Sequence, residues 1–388
     1  MKNSLGIDLT VYSSNYKGGV TTFTEGIVTA ALKQLVNWDI TIYCRLSNLV
    51  EVRNKFGVHN KIVIIEPSFK SIYEKCLRII YKFRMNFRFY VILQNVFWFK
   101  AIAKIREENS ILYIPSTYIN FPNKNISSLV SLHDTQEKTF PGNFSPNQLS
   151  YRKIQALTTL KYSSIIQCSS IFIKKEILKY FNLEVQNSKI IVIPEGVDTL
   201  HFTFVPQNRK SMEFRIFYPS SFLKHKNHQV LMEALSLLDK NTRFEIHFTG
   251  KKNELRDEIE AKCQLLRNIK CSFIGEISSS DLLSEYSRSN LVISCSKYES
   301  SSLPILEGIA IGRPVLASDI DAHIEMAKHL PIDIFKQDDP LDLSEAIVRQ
   351  IEGFKNAQAT KDFSNDSIKQ FSWDNIVKEY EKYFLLLA

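Results

Sequence analysis

The chain has 388 residues, of which 44% are hydrophobic and 23% are charged. This length predicts two domains, and this composition excludes a disordered, collagen-like or coiled-coil chain. The formal net charge is +8, and the best candidate for a membrane span, residues 89–99, has only eleven residues and is too short. The N-terminus enters a strand pattern at once, so we expect no signal peptide.

Short apolar runs predict twelve buried strands. In chain order they lie at 5–12, 40–43, 62–65, 111–114, 129–132, 165–168, 190–193, 216–218, 244–248, 272–274, 291–294 and 315–317. Continuous apolar runs without alternation are typical of parallel strands that are covered on both faces. Amphipathic segments predict helices between the strands, and they lie at 22–35, 227–238, 255–266 and 303–311. Repeated βα units indicate an α/β protein with doubly wound sheets, and twelve strands are too many for one open sheet, so we predict two.

A change of composition marks the predicted domain boundary. Residues 196–213 are rich in polar side chains and lack periodicity, which is typical of a linker. We therefore predict an N-terminal domain over 1–195 and a second domain over 196–370. The last segment, 371–388, contains a helical pattern over 373–387.

The six cysteines form no C-x-x-C pair and lie mostly in apolar stretches. This pattern predicts reduced, buried thiols in a cytoplasmic protein, and it excludes a disulfide framework or a zinc site of the usual spacing.

The first strand end is a candidate phosphate site. Gly18 and Gly19 follow the strand at 5–12, and glycines let a backbone turn tightly and approach a ligand. Thr22 and Glu25 fit a capping box, so we expect a helix to begin there, with free N–H groups that could hold a phosphate. The alternative is an ordinary βα turn. No G-x-G-x-x-G is present, which counts against a nicotinamide site.

A second candidate site follows the predicted strand at 291–294. Glu299 lies at the strand end, and Ser302 is the expected cap of a helix that begins near Leu303 and carries Glu307 one turn inside. Free amides between two carboxylates can bind a pyrophosphate, while a carboxylate binds a ribose diol. The alternative is a helix whose first turns hold dipole-favoured acids.

Residues 299–315, ESSSLPILEGIAIGRPV, resemble the E-x7-E signature of retaining glycosyltransferases of family 4. That resemblance implies the GT-B fold, with two Rossmann-like domains facing across a cleft and the donor mainly on the C-terminal one. Ser300 and Ser302 replace the glycines that are usual in the family.

Other segments resemble the same family in the same order. Residues 217–228 are similar to its phosphate-binding segment, which implies that Lys226 carries most of the diphosphate charge and that Ser221 stands at the usual Arg position. His133, in an H-D pair after an N-domain strand, is similar to the histidine that reaches the donor sugar. Gly18 and Gly19 match the family's glycine loop.

Two further segments extend the resemblance over nearly the whole chain. Residues 193–198, IPEGVD, are similar to the family's domain junction. Residues 371–373, FSW, resemble its entry to a C-terminal helix that crosses back to the first domain.

The resemblance implies a metal-independent transferase that moves a hexose from a nucleoside-diphosphate sugar to a growing glycan or a polyprenyl-diphosphate-linked saccharide. Catalytic roles fall to His133, Glu299 and Lys226, and surface polysaccharide synthesis of the O-antigen type is the implied setting. The H-K-N-H run at 225–228 favours mannose from GDP-mannose. We expect no cofactor and no metal, because Asp319 and Asp321 follow the wrong strand for a metal-binding D-x-D and no His/Cys cluster is present. The alternatives are a nicotinamide dehydrogenase and a catalytically silent sugar-nucleotide-binding or scaffold member of the same fold.

A basic, aromatic segment runs from residue 70 to residue 106. It contains nine lysines and arginines against one glutamate, a surplus of eight that equals the net charge of the whole chain. Such stretches are typical of anionic membrane surfaces. The alternative is a pair of core helices whose cations extend into solvent. No nucleic-acid-binding motif accompanies the charge. We favour a peripheral position on the inner face of the cytoplasmic membrane, because a lipid-linked acceptor requires one.

Overall fold

The computed structural model describes residues 3–15, 18–57, 61–83, 86–117, 119–181, 189–206, 213–356 and 366–388. Residues 207–212 of the predicted linker and Arg84 of the basic segment lie outside these ranges. The backbone divides into two compact units, one of residues 1–196 with 373–388, and one of residues 197–372.

The first unit is built on a parallel sheet of seven strands. They are β1 (Asn3–Asp8), β2 (Trp38–Cys44), β3 (Lys61–Ile64), β4 (Ile111–Ile114), β5 (Ser127–Ser131), β6 (Ile165–Cys168) and β7 (Ile190–Val192), in the spatial order β3-β2-β1-β4-β5-β6-β7. Its helices are α1 (Gly19–Gln34), α2 (Leu49–Phe56), α3 (Lys70–Lys82), α4 (Phe87–Phe97), α5 (Phe99–Glu108), α6 (Gln136–Thr139), α7 (Pro146–Tyr162) and α8 (Ile171–Phe181). The C-terminal helix (Trp373–Leu387) completes the unit.

The second unit holds a parallel sheet of six strands. They are β8 (Arg215–Tyr218), β9 (Phe244–Thr249), β10 (Ile269–Gly275), β11 (Leu291–Ser294), β12 (Val315–Ser318) and β13 (Ile332–Phe335), in the spatial order β10-β9-β8-β11-β12-β13. Its helices are α9 (His228–Leu237), α10 (Glu254–Cys263), α11 (Ser279–Arg288), α12 (Leu303–Ala310), α13 (Asp321–Ala327), α14 (Pro340–Lys355) and α15 (Asp366–Lys369).

The predicted fold class is confirmed, because both sheets are parallel and doubly wound. Strand β11 shows why its sequence is apolar without alternation: Leu291 and Ile293 pack into the core on one face of the sheet, and Val292 packs into the core on the other. All twelve predicted strands are present. The thirteenth, β13, was not predicted, because Asp333 interrupts its short apolar run.

The C-terminal helix packs against α1. Its first residue, Trp373, fits against two glycines: a Cβ atom at Gly26 would lie 2.2 Å from the Trp373 ring, and one at Gly196 would lie 2.5 Å from it. Further along, the Trp38 indole N–H donates to Glu381 Oε1 at 3.0 Å. The last helix of the chain is therefore part of the first unit.

The predicted start of α1 at Thr22 was wrong. The helix begins at Gly19, and the Thr22 amide donates to the Gly18 carbonyl oxygen at 3.1 Å, so Thr22 is already inside the first turn. Gly18 is extended, with a φ of −173°, and a Cβ atom on Gly19 would meet nothing within 4 Å. The backbone conformation therefore does not require glycine at position 18, and a side chain at position 19 would meet no steric obstacle.

Candidate active site

The turn between β11 and α12 carries the predicted acids. Helix α12 begins at Leu303 with Ser302 in the N-cap position, as predicted, but the Ser302 hydroxyl makes no capping hydrogen bond and is buried without a partner. Pro304 has no N–H group, and the amides of Ile305 and Leu306 both donate to the Ser302 carbonyl oxygen, at 3.1 and 3.2 Å. Of the row of free amides that we expected in the first turn of this helix, only the Leu303 amide is left.

Lys226 and Glu299 form an ion pair in this turn. The Lys226 ammonium group lies 2.5 Å from Glu299 Oε1, and both side chains are mostly buried. Burial opposes the charge on Glu299, but the Lys226 ammonium group and the Ser296 hydroxyl, which donates to Oε1 at 2.6 Å, outweigh it, so the pKa of Glu299 lies below its ordinary value. Glu299 is thus a buried, ionised carboxylate held on one oxygen.

A 3-10 turn and two hydrogen bonds fix the backbone around Lys226. Lys224–Lys226 form a 3-10 turn, and Asn227 adopts a left-handed conformation with a φ of 57°. The Tyr218 hydroxyl donates to the Lys226 carbonyl oxygen, and the Asn227 side-chain amide donates to Asp338 Oδ1 at 2.9 Å. These contacts place the ammonium group at the carboxyl end of β8, which pairs directly with β11.

A chain of buried hydroxyls supports Glu299 from the next strand. Ser318, the last residue of β12, donates its hydroxyl proton to the Ser296 carbonyl oxygen at 2.6 Å. The His323 Nδ1 atom lies 3.0 Å from the Ser318 carbonyl oxygen, which can only accept, so Nδ1 carries the proton. Burial lowers the pKa of His323 to about 4, and the imidazole is therefore neutral. Ser296, Ser318 and His323 were not predicted as site residues.

Glu307 faces a different partner. Its Oε2 accepts a hydrogen bond from the Tyr286 hydroxyl at 2.7 Å, and its side chain lies one turn inside α12. Burial raises the pKa of Glu307 to about 7, even though the Tyr286 hydrogen bond favours the ionised form. The second signature acid thus titrates near neutrality, whereas the first is ionised.

Ser221 lies in the exposed loop that follows β8. Gly250, at the end of β9, has a φ of +118°, and a Cβ atom there would lie 3.0 Å from the Ser220 carbonyl oxygen. The turns after β8 and β9 therefore pack closely, and the Ser221 side chain is exposed in the first of them.

His133 belongs to the first unit and follows β5. The ring is half-buried against Phe23, and Nε2 lies 3.0 Å from the Pro115 carbonyl oxygen, so Nε2 carries the proton and Nδ1 keeps its lone pair. Burial lowers the pKa of His133, which favours the neutral ring. Asp134 instead pairs with Arg152 and does not orient the histidine.

The structure brings together the predicted residues of the second unit. Lys226, Glu299, Ser302, Leu303 and Glu307 lie in or just after the turns at the carboxyl ends of the paired strands β8 and β11. This is the edge at which open α/β sheets bind ligands. His133, Gly18 and Gly19 lie at the corresponding ends of β5 and β1 in the first unit. The ligand roles of all these residues remain predictions.

Asp319 and Asp321, which we expected to be a loop pair rather than a metal-binding D-x-D, have local structural roles. Asp319 Oδ1 accepts a hydrogen bond from the Gln337 backbone amide at 2.7 Å, and Asp321 is the first residue of α13. Within the described ranges, no group of three His, Cys, Asp or Glu side chains is arranged to hold a metal ion.

Comparison with known proteins relates the second unit to a family. Residues 202–365 match the family model of the group 1 glycosyl transferases. An uncharacterized glycosyltransferase of Methanocaldococcus jannaschii is 24% identical over 264 residues, which cover 64% of this chain and 66% of that protein. The chain thus aligns with slightly less than two thirds of this relative.

Solved structures extend the similarity of fold to the whole chain. The lipopolysaccharide outer core galactosyltransferase WaaB is 16% identical, with a TM-score of 0.68 and complete coverage of both chains. The Anabaena protein HepE, solved in complex with UDP-glucose, is 13% identical, with a TM-score of 0.68 and 99% coverage of both chains. The two Rossmann-like units are therefore those of the GT-B fold. The sequence similarity to the group 1 glycosyl transferases covers residues 202–365.

Proposed function

We propose that this protein is a retaining glycosyltransferase that transfers a hexose from a nucleoside-diphosphate sugar. The observation that carries the proposal is the ion pair of Lys226 with Glu299 at the carboxyl ends of adjacent strands, within the region that matches the group 1 family model. A buried ammonium group beside a buried carboxylate offers one group for a diphosphate and one for sugar hydroxyls.

The chemistry follows from where charge develops. As the glycosidic bond breaks, negative charge grows on the departing diphosphate and the sugar becomes oxocarbenium-like. Donors fixed in advance at that diphosphate lower the barrier most. Lys226, helped by the Leu303 amide, would stabilise the diphosphate without a metal ion, and the acceptor would attack from the face that the nucleotide leaves.

Donor binding would redistribute the existing ion pair. A diphosphate carries more charge than one carboxylate and would draw the Lys226 ammonium group toward itself. Glu299 would then keep the Ser296 hydrogen bond and accept a sugar hydroxyl on its other oxygen. His133, with an unprotonated Nδ1, is our proposed second contact to the donor sugar, and the Gly18–Gly19 segment is a proposed phosphate contact.

We propose mannose from GDP-mannose as the donor, on the basis of the H-K-N-H run at 225–228. A structurally similar protein, HepE, has been solved with UDP-glucose, so the base and the sugar both require a direct test.

We propose a glycan or a polyprenyl-diphosphate-linked saccharide as the acceptor, in surface polysaccharide synthesis at the inner face of the cytoplasmic membrane. The similarity of fold to a lipopolysaccharide galactosyltransferase supports this setting. The membrane position that we propose is a peripheral one. Among the described residues, no helix is both long enough and apolar enough to cross a bilayer.

The experiment is a thermal-shift screen against UDP, GDP and ADP, followed by assays of transfer and donor hydrolysis with the matching sugar nucleotides. We expect stabilisation by one nucleotide, turnover of its hexose donor that persists in EDTA, and a product that keeps the anomeric configuration. Binding without turnover of any donor would favour the catalytically silent member, and inverted product would exclude the retaining mechanism.

A further inference from the structure

Helix α4 is apolar on the face that it turns away from the core. Tyr90, Val91 and Gln94 are buried, whereas Phe89, Ile92 and Val96 are 53%, 60% and 58% exposed. These three outward residues follow one another at intervals of three and four, so they form one stripe on α4. Phe99, the first residue of α5, is 52% exposed. A helix that is apolar all round is normally buried on every side.

Helix α3 adds a second exposed apolar stripe. Ile72 and Ile79 are 55% and 50% exposed, and Phe69 and Phe83 at the ends of the helix are 76% and 69% exposed. The two helices are neighbours, because the Tyr73 hydroxyl donates to Gln94 Oε1 at 3.1 Å. We call these eight exposed side chains, at positions 69, 72, 79, 83, 89, 92, 96 and 99, the α3–α4 surface.

The helices that carry the α3–α4 surface, and α5 after them, also carry exposed cationic side chains. These are Lys70, Lys75, Arg78, Lys82, Arg88, Lys100, Lys104 and Arg106. The Lys82 ammonium group lies 5.8 Å from the centre of the Phe83 ring, and that of Lys100 lies 5.9 Å from the centre of the Phe99 ring. Of these eight cations, only Lys70 forms an ion pair with a described acid, Glu66 at 3.5 Å. Rings and uncompensated positive charges are therefore side by side.

The combination of exposed apolar side chains and cations favours one kind of binding partner over others. A second copy of the chain would bring the same cations together, and like charges across an interface cost free energy. A nucleic acid would leave the exposed isoleucines and phenylalanines uncovered. An anionic bilayer accepts apolar side chains at the acyl boundary and cations at its headgroups.

We propose that the α3–α4 surface inserts its apolar side chains into the interfacial layer of an anionic lipid membrane, with the exposed lysines and arginines of these helices at the lipid phosphates. The proposal rests on the proposed function in one respect, because a lipid-linked acceptor gives the enzyme a reason to bind there. Other side chains of the segment, such as Tyr73, Tyr90 and Trp98, are buried and take no part, so the core-helix interpretation holds for this buried set.

The test is co-sedimentation of the full chain with vesicles of phosphatidylcholine, and with vesicles of equal parts phosphatidylcholine and phosphatidylglycerol. We expect binding to the anionic vesicles that weakens with salt and is much weaker on neutral ones. The double variant Ile92→Ser/Val96→Ser should lower the partition coefficient at least about tenfold, because two apolar side chains lose their place in the lipid. The triple variant Arg78→Glu/Lys82→Glu/Arg88→Glu should lower it at least about a hundredfold.

The matched control is Leu200→Ser/Leu265→Ser, which removes two side chains that are 78% and 80% exposed in the second unit. It should bind the anionic vesicles as the wild type does. Wild-type protein that stays in the supernatant, or an Ile92→Ser/Val96→Ser variant that sediments normally, would overturn the proposal. A vesicle-free dimer that this variant abolishes would assign the surface to a second copy instead.

Donor hydrolysis without vesicles separates this proposal from the proposed function. The Ile92→Ser/Val96→Ser variant should hydrolyse the donor at the wild-type rate, which also shows that it is folded. If the protein binds vesicles but turns over no donor, the proposed membrane-binding surface stands and the proposed glycosyltransferase function is refuted.

Discussion

Lys226 and Glu299 are 73 residues apart in the chain, yet their charged atoms lie 2.5 Å from each other. Each is mostly buried, and a buried charge is costly unless it is paired. In the protein without a donor, the pair is therefore mutually compensated. The same two groups become separately available when a diphosphate offers the ammonium group a stronger partner, which is how one ion pair can serve both halves of a sugar nucleotide.

Glu307 predicts a pH dependence of nucleotide affinity. Burial raises its pKa to about 7, and ribose hydroxyls would donate to the ionised carboxylate. Nucleotide binding should therefore tighten as the pH rises through about 7, and calorimetric titration of the nucleoside diphosphate across that range would measure the change.

Glu307→Gln is the matched variant for that titration. Glutamine keeps the shape of the side chain, and its amide oxygen can still accept the hydrogen bond from the Tyr286 hydroxyl. The variant should therefore bind nucleotide more weakly and lose the pH dependence that Glu307 causes, while the titration of the nucleotide phosphate remains. A variant with the wild-type pH profile would refute the ribose role.

The raised pKa of Glu307 also affects the stability of the wild type. Because the folded protein binds this proton more tightly than the unfolded chain does, protonation of Glu307 favours folding. The contribution of this carboxyl to stability is therefore lost as the pH rises from 4.5, the ordinary pKa of a glutamate, toward 7.

Ser296 predicts a shift in the pH–rate profile. Its hydroxyl donates to Glu299 at 2.6 Å and favours the ionised carboxylate. Ser296→Ala should raise the pKa of Glu299, so the acidic limb of the profile of kcat should move to higher pH. Ser294→Ala is the control, because Ser294 is a buried serine of the preceding strand. Equal profiles for the two variants would leave Ser296 a purely structural residue.

At the scale of elements, α1 and the C-terminal helix pack so closely that a glycine is required between them. A Cβ atom at Gly26 would lie 2.2 Å from the Trp373 ring, so the ring or the helix must move to admit it. Gly26→Ala should therefore lower the free energy of unfolding by about 1–3 kcal/mol, which urea denaturation would measure.

Gly19→Ala is the control in the same helix. A Cβ atom there meets nothing within 4 Å, and alanine favours a helix over glycine, so stability should stay the same or rise by about 0.5–1 kcal/mol. A Gly26→Ala variant as stable as Gly19→Ala would show that the Trp373 contact is not tight.

Strands and helices were predictable from the sequence where the pattern of apolar residues was unambiguous. Strands such as β11 are continuous apolar runs, and their positions follow from burial on both faces. The start of α1 was misplaced because two glycines resemble a turn, whereas the backbone at Gly19 is already helical. The fold is decided by the packing of such segments, which overrides the local preference of one or two residues.

At the scale of the molecule, the two sheets and the parallel direction of their strands were predictable from the apolar runs. The signature acids and Lys226 could be named from the resemblance, and their ligand roles stay predictions. The supporting chain of Ser296, Ser318 and His323 was not. Its members come from the ends of two strands and from a short helix. Their spacing in the sequence does not indicate that β12 lies beside β11. Such contacts require the pairing of strands, which a single sequence does not fix.

The proposed membrane surface belongs to this scale too. The count of charges located the basic segment, but it could not tell which of its aromatic side chains are buried. The structure divides them between the core, as for Tyr90, and the exposed α3–α4 surface, as for Phe89.

The central claim is that Lys226 stabilises a departing nucleotide. The most direct measurement is the rate of nucleotide release from the sugar donor at saturation, compared between the wild type, Lys226→Ala and the neighbouring Lys224→Ala, whose side chain is exposed. We predict that Lys226→Ala loses about 2–4 kcal/mol of transition-state stabilisation, a fall of about thirtyfold to a thousandfold, with Lys224→Ala close to the wild type. A loss of tenfold or less for Lys226→Ala, or an equal loss in both variants, would contradict the account.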